Sequence, residues 1–182
     1  MAQSSFSTSQ YTSADFVESC GAILFDLSAK ANKKVCLVNH LNSNQWLLAK
    51  GRRNINETRK DAAIREVIEE TGYRCHLLPL RLPTRACSAD EPSDIPDEAR
   101  VRTGVTELFM CTVRQLSVGK GVKIISWFVA TLDEGAHEGK GVGEEKFKAE
   151  FFACSEAVEK LYFETDREVL RTAIELVVIT IG

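Results

Sequence analysis

The chain has 182 residues, 44% of them apolar and 27% charged, with only 11 glycines and 4 prolines. That composition suits one domain with a buried core and excludes collagen-like, low-complexity and wholly disordered classes. A balance of 23 basic against 26 acidic residues, net -3, argues against nucleic acid as a partner, so any phosphate binding must come from a local cluster.

The longest apolar runs, 124–132 and 176–181, fall far short of the roughly 20 residues a membrane helix needs, predicting a soluble protein without a membrane partner. No Lys or Arg precedes Lys30, so no secretory signal is expected. Residues 1–16, rich in Ser and Thr, are expected to form a disordered tail ahead of one domain spanning 17–182. With Ala2 after Met1 and a terminal ITIG, neither myristoylation nor prenylation is expected.

The runs 19–25 (SCGAILF) and 35–39 (VCLVN) flank a turn and predict a hairpin. Residues 45–49 (QWLLA) give a third run, closed by Lys50-Gly51. Helical period follows over 60–71, and extended character returns over 73–81. Pro79, Pro83, Pro92 and Pro96 then cluster with Asp90, Glu91, Asp94, Asp97 and Glu98, predicting a long acidic loop. Strands are expected at 106–114 and 122–132, joined around Gly119 and Gly121. A Gly-rich stretch, 134–143, precedes a strand near 148–153. Helices at 155–161 and 165–179 would start from the N-caps Ser155 and Thr165. Mixed strands around a central helix predict an α/β sandwich. No internal repeat is visible.

Cys20, Cys36, Cys111 and Cys154 sit among apolar residues without metal-type spacing, so the six cysteines are expected as reduced, buried thiols. The sequon Asn56-Glu57-Thr58 falls in the segment that carries the chemistry, where a glycan would block it. A cytoplasmic or nuclear location is expected.

That segment is 51–73, GRRNINETRKDAAIREVIEETGY. On a helix, Glu66, Glu69 and Glu70 occupy i, i+3 and i+4 and share one face. Ala63, Ile64, Val67, Ile68 and Thr71 fall on the other side, so the helix should bury that side and present three carboxylates. Like charges at this spacing repel. Either the face is merely solvated, or the three oxygens hold a hard divalent cation.

The flanks decide between these. Gly51, Glu57, Arg65-Glu66-Val67, Glu69-Glu70 and Gly72-Tyr73 follow the spacing of the Nudix box, and the chain resembles Nudix hydrolases over roughly 18–180. The resemblance implies a Nudix α/β/α sandwich with a mixed central sheet, and hydrolysis of a nucleoside diphosphate linked to another group. It further implies Glu66, Glu69 and Glu70 as ligands of Mg2+, with Mn2+ as the alternative and the Lys50 carbonyl as a further ligand. Glu57 and Arg65 resemble the pair that braces the loop. Metal chemistry suits such a substrate, because a pyrophosphate repels nucleophiles until its charge is neutralised. A nearby carboxylate would accept the proton of the attacking water. Two positions depart from the common pattern: Ala49 replaces Pro or Gly, and Asn56 replaces Gly, where Asn still tolerates left-handed backbone.

Lys50, Arg52 and Arg53 place three cations beside the acidic helix, suited to a phosphate-dense small-molecule substrate. The loop resembles those of diadenosine polyphosphate hydrolases and diphosphoinositol polyphosphate phosphohydrolases, as does the later segment 144–152 (EEKFKAEFF). There Glu145 is expected as a late metal ligand or base, with Glu144 and Glu150 as alternatives. Lys146 and Lys148 match positions that meet phosphates in the diphosphoinositol enzymes. The adenine-stacking Tyr of many diadenosine enzymes has no counterpart between Tyr73 and Tyr162. Phe109, Phe128, Phe147, Phe151 and Phe152 are the substitutes, unless they are core. A diphosphoinositol polyphosphate is therefore the expected substrate, with diadenosine polyphosphate as the alternative. ADP-ribose or NADH cleavage, cap hydrolysis and a non-catalytic sensor rank below. The three histidines show no mutual spacing for a metal, and the sequence does not fix the oligomeric state.

Overall fold

The structure is a computed structural model and describes residues 5–29, 32–92, 94–117 and 119–182. Lys30 and residues 1–4 of the expected tail lie outside these. The sheet is built around β1 (Phe16–Asp26), whose inner residues are buried on both faces, hence its near-continuous apolar run. It runs parallel to β9 (Val122–Leu132), from Phe16↔Val122 to Phe25↔Thr131. Its other edge meets β2 (Lys34–His40) at Phe25↔Val35 and β4 (Lys50–Arg52) at Ser19↔Arg52, both antiparallel. β10 (Phe147–Ala153) and β3 (Gln45–Leu47) pair with β2, while β5 (Cys75–Leu77) and β8 (Met110–Gln115) pair with β9.

Alternation sorts the buried side chains into two cores. Ile23, Phe25, Ile125 and Trp127 pack under α2 (Cys154–Lys160) and α3 (Glu164–Ile181). Cys20, Ala22, Leu24 and Phe128 pack under α1 (Arg59–Thr71), through Ala62, Ala63 and Val67. A mixed sheet between helices on both faces is the expected α/β/α sandwich.

Several local expectations need correction. β7 (Arg100–Val105) pairs with β6 (Leu80–Thr84) in a separate two-stranded sheet, where the sequence suggested loop. Arg100 and Arg102 take the half-buried positions and Val101 the exposed one, which inverts the polarity by which a strand is recognised. The acidic loop is tied to this sheet by an ion pair between Arg102 and Glu91. Neither Ser155 nor Thr165 is an N-cap: α2 follows Ala153 and α3 follows Phe163, both without a side-chain cap. Cys111 is exposed, because β8 is an edge strand that turns it outward, and Cys87 is exposed too. All six thiols are free. Burial pushes Cys36 and Cys75 up to about 12 and Cys20 up to about 11, which leaves them inert.

The stretch before the domain is not wholly detached. The Tyr11 hydroxyl accepts a hydrogen bond from Gln115 at 3.3 Å, and the Asp15 carbonyl accepts one from the Val122 N–H at 2.9 Å. Among the described residues no helix is long and apolar enough to cross a membrane.

Candidate active site

The site grows from the turn between β4 and α1. Thr58 caps the helix, its Oγ1 accepting from the Asp61 N–H at 3.1 Å. Asn56, two residues earlier, holds φ 63, the left-handed conformation that Asn tolerates. At the far end Gly72 stops the helix at φ 76. Between these stops the helix lies against β4, and Gly51 is the point of closest approach. A Cβ there would fall 1.8 Å from Glu66 Oε2, so only glycine lets that carboxylate lie on the strand.

Arg65 organises the cluster. Its Nε and Nη2 fork onto Glu57 at 2.7 and 3.0 Å, and Nη2 also donates to the Arg52 carbonyl at 2.9 Å. Its Nη1 reaches Glu66 and Glu69, both at 2.7 Å. The bonds to Glu57 and then those to Glu66 and Glu69, outweighing the cost of burial, raise the guanidinium pKa beyond its ordinary value. The Glu57 carboxyl is held below the usual range, first by Arg65. One side chain thus joins loop, strand and helix, a task suited to a planar fork of donors.

The three helix acids are not equivalent. Glu69 is exposed, but Glu66 and Glu70 are buried, at 8% and 7% exposure. This corrects the simple division into an apolar inner side and an acidic outer one; Ile68, expected inside, is exposed. Burial pushes Glu70 up to about 8, opposed by Lys50, whose N–H donates to Glu70 Oε2 at 3.2 Å. Burial also raises Glu66, against the opposing Arg65. Glu144 adds repulsion to both.

That last contact sorts the late acids. Glu144, whose N–H donates to the Glu69 carbonyl at 2.8 Å, is the acid beside the helix cluster, with Lys146 Nζ at 2.6 Å. Glu145 is exposed and without an ion pair among the described residues, and Glu150 pairs with Lys148 at 3.2 Å. A one-residue offset in an irregular segment swaps neighbours between faces. Arg53 also differs from the expectation of a phosphate binder. It is engaged by Glu18 (Nε to Oε2, 2.9 Å) and donates to the Glu57 carbonyl at 2.8 Å. Glu18 holds Arg59 as well, and nothing local in the sequence marks it, since its partners lie 35 and 41 positions away. Lys50 and Arg52 point the other way, without such partners among the described residues. Phe128 and Phe152 are buried, and Phe109, Phe147 and Phe151 pack against the two cores.

Among the described residues no three carboxylate, imidazole or thiol groups are arranged as a metal cage. The donor chemistry nevertheless fits a hard cation: carboxylate oxygens only, two of them buried where ionisation is opposed by burial and by one another.

Comparison with known proteins agrees with this construction. The NUDIX domain model matches residues 19–173. No curated protein sequence gives a significant match. Among solved structures, the Ap4A hydrolase of C. elegans is 14% identical, with a TM-score of 0.52 over 86% of this chain and 94% of that one. The E. coli dihydroneopterin triphosphate pyrophosphohydrolase gives 15%, 0.54, 85% and 92%. A NUDIX-family hydrolase from Clostridium perfringens gives 18%, 0.54, 90% and 98%. At such identities these structures speak for the fold alone. The family model spans most of the chain and includes the box built from Gly51 to Tyr73, and the chain therefore belongs to the NUDIX-domain family as a Nudix hydrolase.

Proposed function

We propose that this Nudix hydrolase cleaves a phosphoanhydride bond in a highly phosphorylated small molecule, a diphosphoinositol polyphosphate, with Mg2+. The observation that carries the metal is the burial of Glu66 and Glu70 against β4, beside Glu69 and Glu144. Glu66, Glu69 and Glu70 would hold the cation, with the Lys50 carbonyl on the adjoining strand as a further oxygen. A divalent cation bound there supplies charge neutralisation at the phosphates and activation of a water. Arg65 and Glu57 keep helix and loop at fixed separation, so the carboxylates need not reorganise during the reaction. Glu144, rather than Glu145, is the proposed acceptor of the water proton, because its backbone is tied to the helix at Glu69.

Substrate class follows from what the site offers. Lys50 and Arg52 stand on the strand that carries Gly51, while Phe128 and Phe152 are buried, Phe109 and Phe151 pack against the cores, and only the half-buried Phe147 also lines a cavity beside Glu70. Several cations against a single half-buried phenylalanine favour a phosphate-studded ring over a nucleobase. The test is a panel with Mg2+ comparing an inositol pyrophosphate, diadenosine polyphosphates, ADP-ribose and capped RNA. The reading expects the highest kcat/KM on the inositol pyrophosphate, abolished by chelation. A higher value on any other member of the panel overturns the substrate.

A further inference from the structure

The sheet register assembles a second group of cations, from strands far apart in sequence. β1 runs beside β4 on one edge and β9 on the other, and β8 lies beyond β9. Paired residues share a face, so Arg114, Lys123 and Val17 form one row and Arg52, Ser19, Ile125 and Thr112 the next. Lys50, Gly21, Trp127 and Met110 form the third. Trp127 and Ile125 belong to the core under α3, so these rows lie on the face opposite α1. Long basic side chains thus stand on both flanks of β1, which contributes Val17, Ser19 and Gly21 to this face beside Ile125 and Trp127 of β9. Gly21 must be small, since a Cβ there would meet Lys50 Cβ at 2.7 Å and the Trp127 ring at 2.9 Å.

Three observations say that this arrangement awaits an anion. None of the four cations has an ion-pair or side-chain hydrogen-bond partner among the described residues. Ser19 on the floor is fully buried, and its Oγ has no hydrogen-bond partner, an orphan of the kind native proteins rarely leave. The acid facing the group is Asp166, buried in the first turn of α3 and interacting with Lys50 and Arg114. With Glu70, which reaches Lys50, and Glu66, which reaches Lys123 from across β4, the carboxylates still number fewer than the four cations. The cations also feel one another: burial pushes Lys123 below the usual lysine range, and Lys50, Arg114 and Arg52 push it further, while Glu66 opposes them. The group is therefore in electrostatic reach of the acidic cluster.

We propose that Lys50, Arg52, Arg114 and Lys123, over a floor containing Ser19, form a cradle for the substrate phosphates that are not cleaved. It rests on the reading of the site as one for a phosphate-dense ligand and assigns Arg114 and Lys123 a binding role. The edge strand β4 separates the two halves of the site. Glu66 lies over Gly51 on one face, and Lys50 and Arg52 flank that glycine on the other. A ligand straddling this edge places its anhydride at the carboxylates and its remaining phosphates on the cations.

The probe is inositol hexakisphosphate, which carries phosphates but no anhydride, titrated calorimetrically in metal-free buffer. The cradle expects Arg114→Gln with Lys123→Gln to weaken binding at least about tenfold, since charge-assisted bonds are lost. Lys34→Gln, at the far end of β2, should change it less than twofold. On the best substrate of the panel, the same double variant should raise KM about tenfold or more and leave kcat within about threefold. Arg114→Gln alone, at an exposed position, gives the same direction if the double variant melts early. Binding within twofold of wild type, or a fall in kcat at constant KM, overturns the cradle. If a dinucleotide proves the best substrate while the variant still raises its KM, the cradle stands and the inositol reading falls. If inositol pyrophosphate is best and its KM does not move, the reading stands and the cradle falls.

Discussion

Raising the pH without metal should destabilise the protein through Glu70, and Glu70→Gln should remove that contribution. Burial holds this carboxyl protonated up to about 8 in the folded chain, whereas in the unfolded chain it ionises near the ordinary glutamate value. Its stabilising contribution is therefore complete below the unfolded value and is lost as pH rises through about 8. The interval corresponds to at most about 5 kcal/mol, and relaxation around the charge brings the expectation to about 2–4 kcal/mol. For a chain of this size that is a fall of roughly 4–16 °C in Tm. Glu66 and Asp166 are raised by burial too, so the informative quantity is the difference between wild type and Glu70→Gln. The assay is thermal melting in chelator at pH 5.5, 7 and 8.5, repeated with saturating Mg2+. Wild type should lose more than the variant between the extremes. Mg2+ at 100-fold over its Kd should return about 2.7 kcal/mol to wild type at pH 8.5 and much less to the variant. Equal pH slopes in the two proteins, or equal stabilisation by Mg2+, would refute the reasoning.

Gly51→Ala should cut turnover at least about tenfold with the fold retained, because the new Cβ displaces the Glu66 carboxylate while that side chain can swing aside; circular dichroism and steady-state kinetics read the two parts. Arg52→Ala and Arg53→Ala should differ in kind. The first should raise KM for phosphate-dense substrates, and the second should lower Tm by loosening the clamp on Glu18; identical profiles would contradict the division. Charge reversal of Lys146 and Lys148 should raise KM for inositol pyrophosphate more than for diadenosine polyphosphate, and an unchanged ratio of the two activities would count against these lysines as phosphate contacts.

The sequence made some of this legible and hid the rest for physical reasons. α1 was readable because helical period is a local signal, and the span 60–71 read from it meets the observed helix within one residue at its start. The left-handed turn at Asn56 was readable because side-chain chemistry limits which residues accept it. The burial of Glu66 and Glu70 was not, because it depends on a three-residue edge strand lying beneath them. Glu144 and Glu145 could not be separated, since one residue of register in an irregular segment decides which faces the helix. Arg114 and Lys123 carried no signal at all: they join Lys50 and Arg52 only through the parallel pairing of β1 with β9, a contact between segments about a hundred residues apart. Arg53 sat beside Arg52 in the chain and, through strand alternation, on the opposite face.

Metal held by carboxylates at the edge of β4 is the centre of the proposed chemistry, and its most direct test is turnover of the best substrate with Mg2+ by wild type and by Glu69→Gln with Glu70→Gln. The substitutions keep side-chain volume and remove two charges. Metal ligation supplies several kcal/mol of charge stabilisation, so the rate should fall at least about 10²-fold while the far-ultraviolet spectrum stays that of wild type. Near wild-type turnover in the folded double variant would contradict the assignment of the site.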